Sequence, residues 1–240
     1  MTDDDTKDIT NTPADDGIDL TGVGKDMRAI PPPAWQRMVD KACTTIEKAL
    51  APMTETAHEI VRHIKAKFDN LKDIQQVMVA GAVASAKKKA SQSSGDIKMP
   101  RLQILMQVIE NSANEVDGGV RELWSNLLAQ EMLTQGVHPE ITRVLSRISS
   151  EDAQLLVKIT EQKQNTMSKL FADAVRLALK SMPYMVVTLN PETTTFNHTH
   201  LRNLGLIKKY GGKWDITVFG KDFIRAVTDP SLEQSPTNET

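Results

Sequence analysis

Aromatic residues and cysteine are scarce in this chain of 240 residues. Phe, Trp and Tyr together make up 4% of the sequence, and Cys43 is its one cysteine. A single cysteine excludes a disulfide framework within the chain and is typical of a reducing compartment. The apolar residues are mainly Ala, Leu, Ile, Val and Met, which suit packed helices better than the alternation of a β-sandwich or barrel. The composition therefore predicts a mainly α-helical protein.

Long apolar runs and a leader pattern are also absent. The sequence contains no run of about 18 apolar residues, so it predicts no transmembrane helix. Its first residues are acidic from Asp3 to Asp5, which is not the basic and then apolar layout of a signal peptide. We therefore expect a cytoplasmic protein.

Motifs for nucleotide binding, nucleophilic catalysis and metal binding are missing as well. Gly22 and Gly24 lie in an acidic segment without the strand that a phosphate-binding loop follows, and no serine has a nucleophile-elbow sequence around it. His198 and His200 could belong to a metal site, but no cysteine cluster or His-Glu motif accompanies them. We therefore expect no cofactor, no metal and no small-molecule substrate, and we do not expect an enzyme.

The formal net charge of −2 conceals an uneven distribution. Residues 1–26 contain eight Asp against two Lys, and residues 229–240 contain three acidic residues and no base. The part between them is mildly basic. That excess permits a polyanionic partner without indicating one, because charged faces are usually only solvated.

Five segments differ in composition and pattern. They are predicted to be a disordered acidic tail, a helical arm, a helical core, a small winged-helix-like α/β unit and a second disordered tail: 1–33, 34–98, 99–182, 183–228 and 229–240. The predicted fold is thus a helical bundle with a long N-terminal helical arm and a small C-terminal unit that contains strands.

The predicted arm contains two helical patterns. Residues 34–50 predict an amphipathic helix with Cys43 as a structural side chain on its apolar face. Residues 54–90 repeat apolar side chains at helical spacing and predict one long helix. Its side chains become small from Val79 to Ala86, which favours close helix packing. Because Lys87 to Lys89 follow, a membrane-perturbing effector is an alternative interpretation of this stretch.

The most strongly patterned stretch of the chain runs from residue 119 to residue 156. Its first helix has an apolar face that includes Trp124, which we expect to lie in the core. Gly136 is placed to end this helix in the left-handed conformation. Pro139 suits the first turn of the next helix, and His138 before it is expected to cap that helix.

This stretch resembles the Abi-alpha family of bacterial proteins, whose name refers to abortive infection, a phage-defence outcome. The family shows a Leu-Trp-x-x-Leu-Leu-Ala helix, a His-Pro before an apolar helix, and Leu-Ser-x-x-Asp-Ala. The matching positions are Leu123, Trp124, Leu127, Leu128, Ala129, His138, Pro139, Ile148, Ser149, Asp152 and Ala153. Ser149 and Asp152 also have the spacing of a helix cap. With the later HLRNLGLI and ITVFGKDFIRAV, the resemblance covers about residues 99–228. It implies phage defence and no catalytic residues.

The last unit mixes strand and helix patterns. Residues 193–204 predict a helix, and Gly211-Gly212 between two strand-like runs predicts a β-hairpin. A last helix is predicted to open at Gly220, and Val186 to Leu189 predict a short additional strand. The order of helix, hairpin and helix resembles a winged-helix module.

Such a module offers a candidate surface for DNA or for a protein partner. A winged helix often places one helix in the major groove, where polar and cationic side chains meet bases and phosphates. The candidates here are Asn197, His198, His200, Arg202, Lys208, Lys209 and Lys213. Arg202 is the one arginine on the predicted helix, and guanine readout favours arginine. We therefore expect protein contact rather than DNA binding.

Taken together, these patterns predict a non-enzymatic phage-defence protein that acts through protein contacts or oligomerisation. We expect its oligomeric state to depend on concentration. A winged-helix DNA-binding regulator is the first alternative, and a membrane-perturbing effector is the second. Self-association or a protein partner is thus favoured over nucleic acid, and a membrane surface is the least favoured partner.

Overall fold

The computed structural model describes residues 32–50, 58–161 and 194–232. Within these ranges the chain forms nine α-helices and one two-stranded antiparallel sheet, which confirms the predicted mainly helical class. In chain order the elements are α1 (Pro32–Leu50), α2 (His58–Asp69), α3 (Asp73–Gln92), α4 (Leu102–Asn114), α5 (Gly118–Thr134), α6 (Pro139–Leu145), α7 (Ser150–Glu161), α8 (Phe196–Asn203), β1 (Ile207–Tyr210), β2 (Lys213–Ile216) and α9 (Val218–Val227). The strand predicted at Val186 to Leu189 and the predicted boundary at 182 lie outside the described residues.

Helix α3 lies at the centre of the helical part. It packs against α1, α4 and α5, and its small side chains are buried: Val79, Ala80, Ala82, Val83 and Ala86. The predicted close packing of this stretch is therefore confirmed. The sequence placed α3 in an arm, whereas here it forms part of the core. No helix in the described ranges is both long and apolar enough to cross a membrane.

The chain breaks between α2 and α3, so the prediction of one continuous helix over residues 54–90 is wrong. Lys72 has an extended backbone, with φ −67° and ψ 151°, and its N–H donates to the side-chain oxygen of Gln75 at 3.0 Å. The Gln76 side chain donates to the carbonyl of Phe68 at 3.2 Å. These side chains satisfy backbone groups that each helix end leaves free, so two helix ends are stabilised where the apolar pattern showed none.

Helix α5 carries the Leu-Trp pattern and contacts α3, α4, α7 and α9. Trp124 is 1% exposed, which confirms its predicted place in the core. The left-handed residue at the end of α5 is Gln135, with φ 53°, so the prediction of Gly136 is wrong by one residue. The Gln135 side chain donates to the carbonyl of Met99 at 2.6 Å. That contact helps to hold a conformation that costs a non-glycine residue about 1–2 kcal/mol.

A buried carboxylate joins the end of α5 to the start of α4. Glu131 is 0% exposed and accepts hydrogen bonds from Nε and Nη2 of Arg101 at 2.6 and 2.9 Å. It also accepts from the backbone N–H groups of Arg101 and Val137, each at 3.1 Å. Hydrogen bonding to Glu131 raises the pKa of Arg101. One carboxylate therefore fixes α4, α5 and the loop before α6.

Local caps start the next two helices as predicted. His138 Nδ1 accepts the N–H of Glu140 at 3.2 Å, and Pro139 is the first residue of α6. Ser149 Oγ accepts the N–H of Asp152 at 3.2 Å, and Asp152 Oδ2 accepts the N–H of Ser149 at 3.1 Å. This reciprocal pair is a capping box, so both predicted helix starts are confirmed.

Residues 194–232 form the C-terminal unit, which consists of α8, the hairpin β1–β2 and α9. Gly211 and Gly212 at the hairpin turn have φ of 55° and 83°, which a two-residue type I′ turn requires of both central residues. The predicted hairpin is therefore confirmed. Helix α9 begins at Val218, two residues before the predicted start. A Cβ on Gly220 would lie 2.2 Å from the Leu206 carbonyl oxygen, so glycine is needed for this close approach.

The C-terminal unit is attached to the helical core. Helix α9 packs on α5, and α7 contacts both α8 and β2. The buried Lys89 side chain of α3 donates to Glu122 and Asn126 and lies 3.8 Å from Asp229 Oδ2. Asn126 in turn donates to a backbone carbonyl at the end of α9 at 2.9 Å. The sequence placed Asp229 at the start of a disordered tail, but the structure pairs it with the core.

Candidate functional site

His198, one of the seven predicted surface residues, lies inside the protein. It is 0% exposed, and its ring centroid lies 4.9 Å from that of Trp214. Its Nδ1 accepts the N–H of Thr195 at 3.2 Å and lies 2.9 Å from Thr195 Oγ1. His198 therefore caps α8 and packs against the hairpin.

Asn197 and His200 are engaged with α7. Asn197 Nδ2 donates to Asp152 Oδ1 at 3.1 Å, and His200 Nδ1 lies 3.0 Å from Asp152 Oδ2. Ser149 Oγ donates to the same Oδ2 at 3.0 Å. Asp152 is 2% exposed. We call these four residues the Asp152 network. The sequence identified Ser149 and Asp152 as a cap, but their partners lie 45 and 48 positions later in the chain, where no local pattern could pair them.

The Asp152 network contains the residue types of a serine nucleophile triad but not its arrangement. In a triad the histidine lies between the serine and the acid. Here Ser149 and His200 both contact the same oxygen of Asp152, and the Ser149 hydroxyl is also used to cap α7. Among the described residues, no group of three or more His, Cys, Asp and Glu is placed to hold a metal ion. The geometry therefore favours positioning of α8 over chemistry.

The other four predicted surface residues are exposed: Arg202, Lys208, Lys209 and Lys213. Lys209 lies on the face of the hairpin that packs inward, since its Nζ is 5.4 Å from the centroid of the Trp214 ring and donates to Thr194 Oγ1 at 3.3 Å. The structure thus brings the three lysines together on one hairpin but divides them between its two faces, while Arg202 lies on α8.

The outer hairpin face consists of Lys208, Tyr210, Lys213 and Asp215. Side chains alternate between the two faces of a strand, and the register places Tyr210 opposite Lys213 and Lys208 opposite Asp215. Tyr210 is 80% exposed. The sequence did not single out Tyr210, although the confirmed turn at the two glycines would have fixed its position opposite Lys213.

Exposed apolar side chains are concentrated in the C-terminal unit. It holds Phe196, Tyr210 and Val218, which are three of the six large apolar side chains that are exposed in the described ranges. Phe196 is 81% exposed and Val218 is 77% exposed. The Phe196 ring stacks on His200 at a centroid distance of 6.1 Å. Because His200 contacts Asp152, the Asp152 network also positions the Phe196 ring.

A small cleft lies elsewhere, between α4 and α6. Its volume is about 220 Å³, and polar side chains that include Gln103, Gln107 and Thr142 line it. His138 at its edge already accepts a backbone N–H, and Arg143 pairs with Glu140 at 3.2 Å. His138, Glu140 and Arg143 in this cleft are therefore already engaged in local contacts of α6.

The family model of Abortive infection alpha matches residues 69–215. The match begins before the resemblance predicted from residue 99 and includes all of α3 through β1 and most of β2. Neither a curated protein nor a solved structure matches the chain. Because the matched segment spans more than half of the 240 residues, the chain belongs to the Abortive infection alpha family.

Proposed function

We propose that this protein acts in abortive infection without catalysing a reaction, through contacts with other protein chains or with copies of itself. The role in abortive infection is inferred from the family, whose description names that process. The observation that supports protein contact is the exposure of Phe196 and Val218 at 81% and 77%. Protein interfaces bury apolar and aromatic side chains of this kind at their centres.

The C-terminal unit is the proposed contact module, and we propose that it is winged-helix-like. Helix α8 directly precedes the hairpin, as a recognition helix precedes a wing. Its polar side chains Asn197, His198 and His200 are used within the protein, which leaves Phe196 at its exposed start. An inward-facing polar side and an exposed aromatic ring suit protein contact better than base recognition.

The non-catalytic part of the proposal is supported by the same geometry. The oxygens of Asp152 are occupied by hydrogen bonds from elements that they hold together. Small apolar side chains of α3 that could have met a membrane are packed in the core. Contact through an exposed surface is therefore the mode of action that the described residues favour.

Phage challenge tests the defence role. Bacteria that carry the protein are expected to survive at low phage input and to collapse at high input, compared with bacteria without it. Val218→Asp should abolish protection, because a carboxylate would disrupt an apolar contact. An acidic residue near the start of α9 is compatible with folding, since helix N-termini favour negative charge. The measurements are plaque counts and culture survival.

Val116→Asp is the matched control, because Val116 is 76% exposed but lies in the loop between α4 and α5. It should leave protection intact. If the two variants protect equally well, the contact surface is not at Val218. Light scattering over a concentration series measures self-association, for which the mass of the wild-type protein should rise. A constant monomer mass would leave contact with another protein as the remaining form of the proposal.

A winged-helix DNA-binding regulator is the second candidate, favoured by the exposed side chains of Arg202, Lys208 and Lys213. Binding to duplex DNA should weaken with salt, because phosphate contacts release counterions. Arg202→Ala should reduce the slope of log K against log salt by about 0.9 if that residue contacts a phosphate. A titration with labelled duplex at low salt that gives no binding would contradict this candidate.

A further inference from the structure

The outer hairpin face exposes an aromatic ring that the fold does not need. The inner face of the hairpin supplies the core through Ile207, Trp214 and Ile216, each at most 6% exposed. Tyr210 lies on the opposite face and is 80% exposed. It is directly opposite Lys213 in the register, and such pairs have Cβ atoms about 4.5–5.5 Å apart. A flat ring and an ammonium group are therefore presented side by side.

The surrounding charge favours an anionic ligand. The C-terminal unit contains six Lys and Arg against three Asp, in contrast to the acidic first 26 residues of the chain. On the outer face itself, Lys208 has the half-buried Asp215 opposite it, whereas Lys213 has only Tyr210. Lys213 is therefore the outer-face lysine with no acidic residue directly opposite it, and it is the one beside the ring.

We infer that the outer hairpin face binds single-stranded nucleic acid without sequence preference. In this assignment a base stacks on Tyr210, and Lys213 and Lys208 contact the adjoining phosphates. Combinations of exposed aromatic rings and cations bind single strands because every base has a stacking face. The inference goes beyond the proposed function, because it assigns an unpaired single strand to Tyr210 and the two lysines, whereas the proposed contact is with protein.

The geometry of α8 separates this ligand from duplex DNA. Reading a duplex requires polar side chains that reach base edges in the major groove. On α8, Asn197 and His200 are bonded to Asp152, and His198 is buried. Only Arg202 and Asn203, at the end of the helix, remain as exposed polar side chains that could reach base edges. Lysine contacts phosphate as a point charge without the bidentate geometry that favours a guanine edge. The outer hairpin face, which carries lysines and Tyr210, can therefore contact phosphates and stack on unpaired bases. A duplex does not present unpaired bases.

Fluorescence anisotropy with the full chain tests the inference. The probes are labelled DNA and RNA single strands of about 15 nucleotides, and the same DNA sequence as a duplex. This length is near the upper site size of OB-fold proteins that bind single strands. The single strands should bind at least about tenfold more tightly than the duplex. Tyr210→Ala should weaken single-strand binding about tenfold, and Tyr210→Phe should keep it, because stacking needs only the ring. The ratio of RNA to DNA affinity shows which sugar the site accepts.

Lys213→Gln tests the phosphate contact. It should reduce the slope of log K against log salt by about 0.7, the value for one phosphate of a single strand. Lys87→Gln is the matched control, because Lys87 is also exposed but lies on α3, and it should leave the slope unchanged. Circular dichroism confirms that each variant is folded.

Three outcomes overturn the inference. The first is duplex binding as tight as single-strand binding, which would make the protein a duplex binder. The second is unchanged affinity in Tyr210→Ala. The third is equally tight binding of poly-aspartate, which would mean that the protein attracts anions in general and has no site for single-stranded nucleic acid.

Discussion

Replacing Arg101 with Ala is expected to lower the free energy of unfolding by about 3 kcal/mol, because the buried carboxylate of Glu131 loses its charged partner. This is the lower end of the range for leaving a buried charge unpaired, since the Arg101 side chain itself is 44% exposed. The variant keeps the Glu131 carboxylate, which is 0% exposed, and removes its charged partner. Two backbone N–H groups still donate to it, so the carboxylate is partly stabilised. Urea unfolding followed by circular dichroism measures the loss.

Arg143→Ala is the control for this prediction. Arg143 pairs with Glu140 at 3.2 Å, but the two side chains are 73% and 44% exposed. Exposed pairs contribute about 0.2–1 kcal/mol, so this variant should unfold nearly as the wild type does. If Arg101→Ala loses no more than Arg143→Ala, then water replaces the guanidinium and the pair does not hold α4 to α5.

The predictions that succeeded concern residues close together in the chain. His138 caps the helix that starts at the next residue, and Ser149 and Asp152 cap each other across three positions. Gly211 and Gly212 form the turn between two adjacent strands. In each case the partners are fixed by local backbone geometry, so residue type and spacing are enough to predict the contact.

The predictions that failed concern features that leave the local pattern unchanged. The apolar spacing continues through residues 70–72, so periodicity alone could not show that Gln75 and Gln76 would stabilise two helix ends there. Gln135 replaces Gly136 as the left-handed residue, with its side chain bonded to Met99 across the fold. The residue that accepts the Gln135 hydrogen bond lies 36 positions away. The sequence around Gln135 therefore does not show this contact.

The candidate site shows the same division. The hairpin register follows from the turn, so the outer placement of Lys208 and Lys213 could be predicted from sequence. The inward direction of Asn197 and His200 could not, because it depends on Asp152 in an earlier helix. Sequence alone could therefore predict the outer lysines of the hairpin, but its candidate surface also included polar residues that the fold uses for its own support.

Replacing Asp152 with Ala is expected to lower the free energy of unfolding by about 2–4 kcal/mol. Asn197, His200 and the N–H of Ser149 lose their acceptor, and each buried polar group left without a partner costs about 1–3 kcal/mol. The value is smaller than the sum because Ser149 is exposed and Asn197 and His200 are only half-buried, so all three can regain contacts with water. Urea unfolding gives the total loss.

Hydrogen exchange shows which helices lose stability in Asp152→Ala. If the Asp152 network positions α8, amide protection in Asp152→Ala should fall more in α8 than in α4, which the network does not touch. Glu151→Ala is the matched control, because Glu151 is an exposed carboxylate in the same first turn of α7. Its loss removes only a favourable interaction with the helix dipole, about 0.3–1 kcal/mol.

The Asp152→Ala variant also connects the buried network with function. Phe196 stacks on His200, which Asp152 holds, so release of α8 should displace the exposed ring at its start. Asp152→Ala should therefore lose phage protection at a temperature where it is still folded, while Glu151→Ala protects. A loss of protection in α8 no larger than that in α4 would mean that the hairpin alone positions the helix. In that case loss of defence in Asp152→Ala would have to come from global unfolding, and lowering the temperature should restore it.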